Sequence, residues 1–296
     1  MSRLYLLGEI MADVLVHLPG PLALGADTPA PIRFTGGGSA ANTAAWLAHS
    51  GVRPILIARV GDDPPGISER QALQRYGVEL AVGVDPHEPT GSCVVLVHPG
   101  LDGPERTMIP NTGANGALRP EHLPPFEPQC LLYVSSYAFF TGARAAALTA
   151  IDRVRDGGGR IVIGASSASL LIAAGTDAFL GWVGRDVLLL ANGDEAAALT
   201  GELDQQTACA ALTRLVAAAV VTCGPRGAYV GTANGVAHMG AAALADAPFD
   251  TVGAGDAFAA GLLRALHTGD DLPTAARVGN QLAARSVSHV GGRPPL

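Results

Sequence analysis

The chain contains no lysine. All 19 basic residues are arginine, against 26 Asp and Glu, which leaves a formal net charge of −7 over 296 residues. Without lysine there is no Walker A loop, because its lysine is part of the phosphate cradle. Schiff-base chemistry, pyridoxal phosphate attachment included, is excluded for the same reason. Any cationic side-chain contact to a phosphate falls to arginine, whose planar fork suits it. The acidic balance lacks the cationic footprint that nucleic acid or an anionic membrane needs, so neither is expected as a partner.

Cysteine is scarce as well. Cys93, Cys130, Cys209 and Cys223 have no CxxC spacing, so neither a zinc knuckle nor a redox pair is indicated. Small apolar fillers in a reducing cytosol are the expected role. The eight histidines include no HxxxH pair, and no metal site built on His is expected. No apolar run approaches the ~18 residues of a membrane span. Glu9 and Asp13 interrupt the run that a signal peptide would need. A cytoplasmic protein is the expectation. Aromatic residues make up 5% of a chain that is 48% hydrophobic, so the core must be built from Ala, Val, Leu and Ile.

What is present reads as alternating strands and helices. Arg3–Gly8 is a buried strand ending at glycine; Val14–Leu18 and Ile32–Thr35 are short strands. Gly38–Ser50 is helical, Ile55–Val60 a strand, and Gly66–Tyr76 a helix stopped by Gly77. Ser92–Val97 and Arg106–Ile109 flank the turn cluster Pro99–Pro104 and form a hairpin. Beyond Asn115, apolar runs at Leu131–Val134, Ile161–Ile163, Val187–Leu190 and Ala218–Thr222 alternate with Ala-rich helical stretches at Ala143–Arg155, Glu195–Leu199 and Ala208–Ala217. Continuous apolar strands alternating with helices indicate a parallel sheet covered on both faces. Two helices, Gly255–His267 and Leu272–Ser288, end the chain. The expected fold is α/β: a Rossmann-like, doubly wound, mostly parallel sheet from residues 1–11, 36–88 and 114–296. A small β-sheet lid from 12–35 and 89–113 covers the carboxyl ends of its strands.

The strongest motif is Asp250-Thr-Val-Gly-Ala-Gly-Asp256. A glycine-flanked turn leads straight into a helix, leaving the N–H groups of Gly253, Ala254, Gly255 and Asp256 free beside the positive end of the helix dipole. Such donors suit the charge that builds on a transferring phosphoryl group. Asp256 could take the proton of an attacking hydroxyl; alone, it could also merely complement the dipole. Gly36-Gly-Gly-Ser-Ala-Ala-Asn42 lets a backbone approach a ligand and offers Asn42 to hydroxyls. Its Gly36, Gly38 and Ala41 also fit a dinucleotide fingerprint, with Asp62 near the distance of the ribose-binding acid.

The motif from Asp250 to Asp256 resembles the second signature, D-T-x-G-A-G-D, of the ribokinase-like (PfkB-type) carbohydrate kinases. Gly36–Asn42 is similar to the family's first signature, G-G-x-x-x-N. Further matches follow the family's order: Gly8–Asp13 (G-x-x-x-x-D), Val60–Gly66 (V-G-x-D-x-x-G), Asn192–Glu195 (N-x-x-E) and Thr222–Gly227 (T-x-G-x-x-G). The resemblance covers nearly the whole chain. It implies ATP-dependent phosphorylation of the hydroxymethyl group of a small sugar, with Asp256 as base and Gly253, Ala254 and Gly255 as the anion hole. Asp13, Gly37, Gly38 and Asn42 would bind substrate, and Arg106 in the lid hairpin would clamp a phosphate. Asn192, Glu195, Thr222, Gly224, Gly227, Asn280 and Ala283 would face the nucleotide, and Glu195 would reach Mg²⁺ through water.

Asn192 and Glu195 equally fit a helix cap with its reciprocal Glu, and the two roles are compatible. Asp250, Val252, Ser286, His289 and Gly291 fall where some members hold a monovalent cation such as K⁺. The family's lids often pair, so a homodimer through the lid is expected. Ser39 stands where some members carry Lys, and Ile163-Gly-Ala-Ser-Ser167 lacks an acidic or amide residue common there; both leave the substrate open. A nucleoside kinase of the same family is the alternative, with Phe34, Tyr137, Phe139 and Phe140 as candidates to stack on a base. An NAD-dependent oxidoreductase is a more distant one. A sugar phosphate is disfavoured by the lack of lysine.

Overall fold

A computed structural model describes residues 2–100, 103–244 and 250–296. The chain opens with β1 (Leu4–Leu7), β2 (Met11–His17) and β3 (Ile32–Gly37), then helix α1 (Ser39–His49). β4 (Ile55–Gly61), α2 (Pro64–Tyr76) and β5 (Glu79–Asp85) precede the hairpin of β6 (Gly91–Gly100) and β7 (Gly103–Asn111). The alternation then runs β8 (Leu131–Ser135), α3 (Arg144–Asp156), β9 (Arg160–Gly164), α4 (Ala168–Ala174), α5 (Thr176–Val183), β10 (Leu188–Asn192), α6 (Gly193–Thr200), α7 (Gln205–Leu212) and β11 (Ala218–Thr222). β12 (Ala228–Thr232), β13 (Gly235–Met239), α8 (Ala254–Thr268) and α9 (Leu272–Ser286) complete it.

Nine strands form one sheet in the order β13-β12-β11-β10-β9-β8-β1-β4-β5. From β11 to β5 every pairing is parallel, while β12 and β13 add an antiparallel edge. The apolar runs behave as sequence patterning requires. Along β1, Leu4 and Leu6 pack with Trp46 of α1 and Leu262 of α8 on one face. Tyr5 and Leu7 pack with Ile151 of α3 and Phe179 of α5 on the other. Successive strand residues point to opposite faces, so only a sheet covered twice can bury all four. On the first face α8 and α9 touch closely: a Cβ on Gly261 would stand 2.6 Å from the Val278 carbonyl oxygen.

Four strands form the smaller sheet, in the order β3-β2-β6-β7. The pair β2–β6 is parallel, and both outer pairs are antiparallel. One face buries Met11, Leu15, Cys93 and Val95. On the other, register aligns Phe34, Val14, Val94 and Ile109 in one cross-strand row.

Several expectations need correction. The strands β5, β12 and β13 and the helices α4 and α5 carry no clear sequence signal. β5 begins with Glu79, ends with Asp85 and is mostly half-buried, so its short apolar stretch Leu80–Val84 stands between acids and includes Gly83. α7 ends at Leu212 rather than Ala217. The dinucleotide reading fails on topology: Gly36 and Gly37 lie within β3 of the small sheet, not between a core strand and its helix. Phe34 is 84% exposed on the small sheet and Phe139 is fully buried against Phe179, so neither can stack on a ligand.

Candidate active site

Where the two sheets meet lies a cavity of about 500 Å³. Its floor is the start of α8. Gly253, at the N-cap, has φ 75° and no side-chain cap; a Cβ there would meet the Gly292 backbone at 2.5 Å. Only glycine adopts this turn without strain. Among the described residues, no acceptor faces the amides of Gly253, Gly255 or Asp256. The Ala254 amide differs from expectation: it donates to the Thr251 carbonyl at 3.3 Å, so this turn has fewer free donors than the sequence suggested.

Asp256 sits in the first turn of α8. Its two oxygens accept hydrogen bonds from Ser39 Oγ (2.7 Å) and Asn42 Nδ2 (2.9 Å), both in the first turn of α1. Burial pushes its carboxyl up to about 6, the Asn42 and Ser39 bonds pull it down, Asp13 raises it and Arg293 lowers it. Asp13, in β2, is also pushed up to about 6 by burial, against the lowering effect of Arg293. Its Oδ1 is buried with no hydrogen-bond partner. An orphaned buried acceptor is costly, and Asp13 lines the same cavity as Asp256. Glu9, also lining the cavity, is raised to about 7 by burial and accepts from Ser135 Oγ at 2.7 Å.

At the far end of the cavity, Asn192 and Glu195 form a reciprocal cap on α6. Asn192 Oδ1 accepts from the Glu195 amide (2.9 Å), while Glu195 accepts from the Asn192 amide (2.8 Å) and Nδ2 (2.9 Å). Burial raises the Glu195 carboxyl to about 7. Asn192, Glu195 and Thr222 line the same cavity as Asp256. Gly224, Gly227, Asn280 and Ala283 lie outside its lining. Asn280 spends its amide on the Met239 and Gly240 carbonyls, and Ala283 packs on the core.

Asp13, Gly38 and Asn42 line the cavity, whereas Gly37 and Arg106 do not. Arg106 reaches from β7 to Asp250 Oδ1 (3.0 Å) and Thr251 Oγ1 (2.8 Å), just ahead of the α8 turn. Asp250 also accepts from the Val252 and Gly291 amides. Val252 lines the cavity. Ser286 donates to the Ala283 carbonyl, and the His289 ring stacks on Trp46.

A model of the pfkB family carbohydrate kinases matches residues 1–296. The chain belongs to this family. This kinase is 32% identical over 302 residues to an ATP-dependent ribose-1-phosphate kinase of Halopiger xanaduensis, covering 99% of this chain and 94% of that protein. Among solved structures, an adenosine kinase from Sinorhizobium meliloti superposes with a TM-score of 0.86 at 25% identity, over 100% of this chain and 96% of that one. A fructokinase from Vibrio cholerae, bound to fructose, ADP and calcium ion, gives 0.81 at 25% identity, over 99% and 94%. The mostly parallel nine-stranded sheet with its small companion is the fold of these kinases.

The sequence of this kinase did not disclose Arg293, Glu69 or Glu9 as site residues. Arg293 Nε donates to Asn42 Oδ1 (3.2 Å) and Nη2 to the Gly37 carbonyl (3.0 Å), while Nη1 lies 2.7 Å from Glu69. The one trace of this arrangement is the run of three glycines at 36–38: a Cβ on Gly36 would overlap the Arg293 guanidinium, and one on Gly37 would overlap the Asp13 carboxylate. Asp63, in the third family motif, serves as the N-cap of α2 and accepts from the Thr90 amide (2.8 Å).

Proposed function

We propose that the enzyme transfers the γ-phosphate of ATP to the hydroxymethyl group of a small, uncharged sugar. The observation that carries this is the pair Asp256 and Asp13: a buried carboxylate aimed by two donors, opposite a buried acceptor that lacks a partner. Asp13 and Asn42 hold sugar hydroxyls. The hydroxymethyl oxygen attacks the γ-phosphorus as its proton passes to Asp256; the new O–P bond forms while the bond to the β,γ-bridging oxygen breaks, and ADP leaves with that electron pair. With its pKa near 6, Asp256 is mostly ionised at neutral pH yet basic enough to share a proton in the transition state. The unpaired amides of Gly253, Gly255 and Asp256 face the charge that builds on the phosphoryl oxygens.

Mg²⁺ commonly sits on substrate phosphates, waters and one or two carboxylates, and this donor set fits it. Glu195, whose oxygens are engaged in the cap, would reach the metal through water, and the bound metal would neutralise phosphate charge. For a monovalent cation, which the resemblance places mostly on backbone carbonyls, the side chains of Asp250, Ser286 and His289 are engaged elsewhere and would add no ligand.

Among the cavity-lining residues there is no arginine, so a second phosphate on the acceptor would meet no cationic side chain. A second reading, a riboside carrying a planar group, draws support from the apolar wall of Met108, Pro110, Tyr137 and Phe140. The small sheet acts as a lid, and its exposed apolar row supports a homodimer formed by two lids. Use of ATP and four buried free cysteines fit a cytoplasmic enzyme.

The test is ADP release from ATP–Mg²⁺ over a panel of free sugars, sugar acids, sugar phosphates and nucleosides. Asp256→Asn should lower kcat about 10²–10⁴-fold while calorimetry still registers acceptor binding. Undiminished turnover would remove the base assignment. Nucleosides outcompeting every free sugar would establish the second reading.

A further inference from the structure

Arg293 belongs to no motif, yet the fold is built around it. It follows two glycines in the C-terminal segment, which is pinned on both sides: Trp46 Nε1 donates to the Gly292 carbonyl (3.0 Å) and the Tyr76 hydroxyl to the Pro294 carbonyl (2.6 Å). The side chain is 8% exposed and its partner Glu69, on α2, 10%. Burying such a pair carries a large desolvation penalty and is weak evidence for a stabilising role. Its geometry instead leads to the base.

A guanidinium only donates. With Arg293 Nε against Asn42 Oδ1, the Asn42 amide has one allowed orientation, in which Nδ2 points at Asp256. A flipped amide would turn a carbonyl oxygen on the carboxylate and leave the guanidinium facing an NH₂ group. The contact to the Gly37 carbonyl fixes the strand over which the Asp13 carboxylate packs.

We propose that Arg293 is a positioning residue for phosphoryl transfer: it locks Asn42 toward Asp256, holds the Gly37 carbonyl and sets its positive charge beside them. This rests on Asp256 being the base. Arg293 touches neither Asp256 nor the cavity; it acts through Asn42 and through its field.

The charges facing Asp256 make the signature specific. Glu9 follows β1, Asp13 lies in β2, Tyr133 in β8, and Tyr137 in the turn after β8. Burial drives both tyrosine hydroxyls far up, so they stay neutral. Arg293 lowers Asp256 and Asp13, and Glu69 raises Asp13. Removing the arginine charge therefore raises both carboxyls, and removing the Glu69 charge lowers Asp13. A fault in packing alone would not give opposite signs.

The experiment measures kcat against pH at saturating acceptor, where sugar hydroxyls engage Asp13 and the acid limb reports mainly on the base. Arg293→Gln should move that limb up by about one pH unit, cutting kcat at pH 6.5 roughly threefold while recovering most of it above pH 8. Glu69→Gln, which bears on Asp13, should instead move down the acid limb of kcat/KM, where the free enzyme titrates. Opposite shifts support the proposal; an unmoved limb in Arg293→Gln, or shifts of the same sign, overturns it. If Arg293→Gln does not fold, Arg293→Lys decides: a lowered kcat with the acid limb unmoved, the charge kept and the fork lost, supports the proposal, and an unchanged kcat overturns it. Asp256→Asn, run alongside, keeps the two readings apart, since full activity there refutes the base itself.

Discussion

The two sheets of this kinase use apolar residues in opposite ways. The large sheet buries both faces, so β1 and β8 are apolar at every interior position and their side chains divide between two helix layers. The small sheet buries one face over the cavity and leaves Phe34, Ile109 and Val94 exposed on the other. Asp256 and Asn42 stand on helices α8 and α1 against the large sheet, while Asp13 stands on a strand of the small one. On the proposed function, the base is mounted against the sheet packed on both faces, and acceptor binding is shared with the sheet packed on one.

The contrast can be broken from either side. Phe139→Ala empties a fully buried site and should cost about 3–5 kcal/mol of unfolding free energy in denaturant titration; a loss below 1 kcal/mol would mean the core can collapse around it. Asp13→Asn should raise the acceptor KM roughly 10–100-fold, the worth of a hydrogen bond to a charged group, with a smaller change in the KM for ATP. An equal rise in both would place Asp13 outside the acceptor site. Arg106→Ala should lower kcat/KM by less than about fivefold, as expected for a partly exposed ion pair. A rise above tenfold in the KM for a phosphorylated ligand would restore the phosphate-clamp role. Phe34→Ser should alter unfolding free energy by no more than about 0.5 kcal/mol yet lower the dimer fraction in sedimentation; unchanged association would move the interface off this face.

The large sheet was legible because burial on two faces forces continuous apolar runs, and Leu131–Val134 or Val187–Leu190 can be little else. Strand β5 was missed for the converse reason: at the sheet edge it is mostly half-buried, and its short apolar stretch is flanked by acids at both ends. α4 and α5 are short helices split at Gly175, too brief for a period to register. Asp256 and Asn42 were readable because each follows glycines that local geometry demands; Asp13 was readable through the resemblance of Gly8–Asp13 to a family motif. Arg293 and Glu69 were not, because their meaning is a contact across more than 200 residues that no local pattern encodes. Phe34 and Phe139 show the same limit: composition marks them as aromatic, and only the fold says that one faces out and the other is sealed in.

Both helices that meet at Asp256 begin without a side-chain cap, α1 at Gly38 and α8 at Gly253. Each leaves roughly half a positive charge at its start, and the two starts converge on one cavity whose lining includes no arginine. An acidic protein can therefore admit a polyphosphate without a basic patch to draw it in. The attraction is carried by peptide dipoles fixed inside the fold, which dissolved ions screen far less than surface charge.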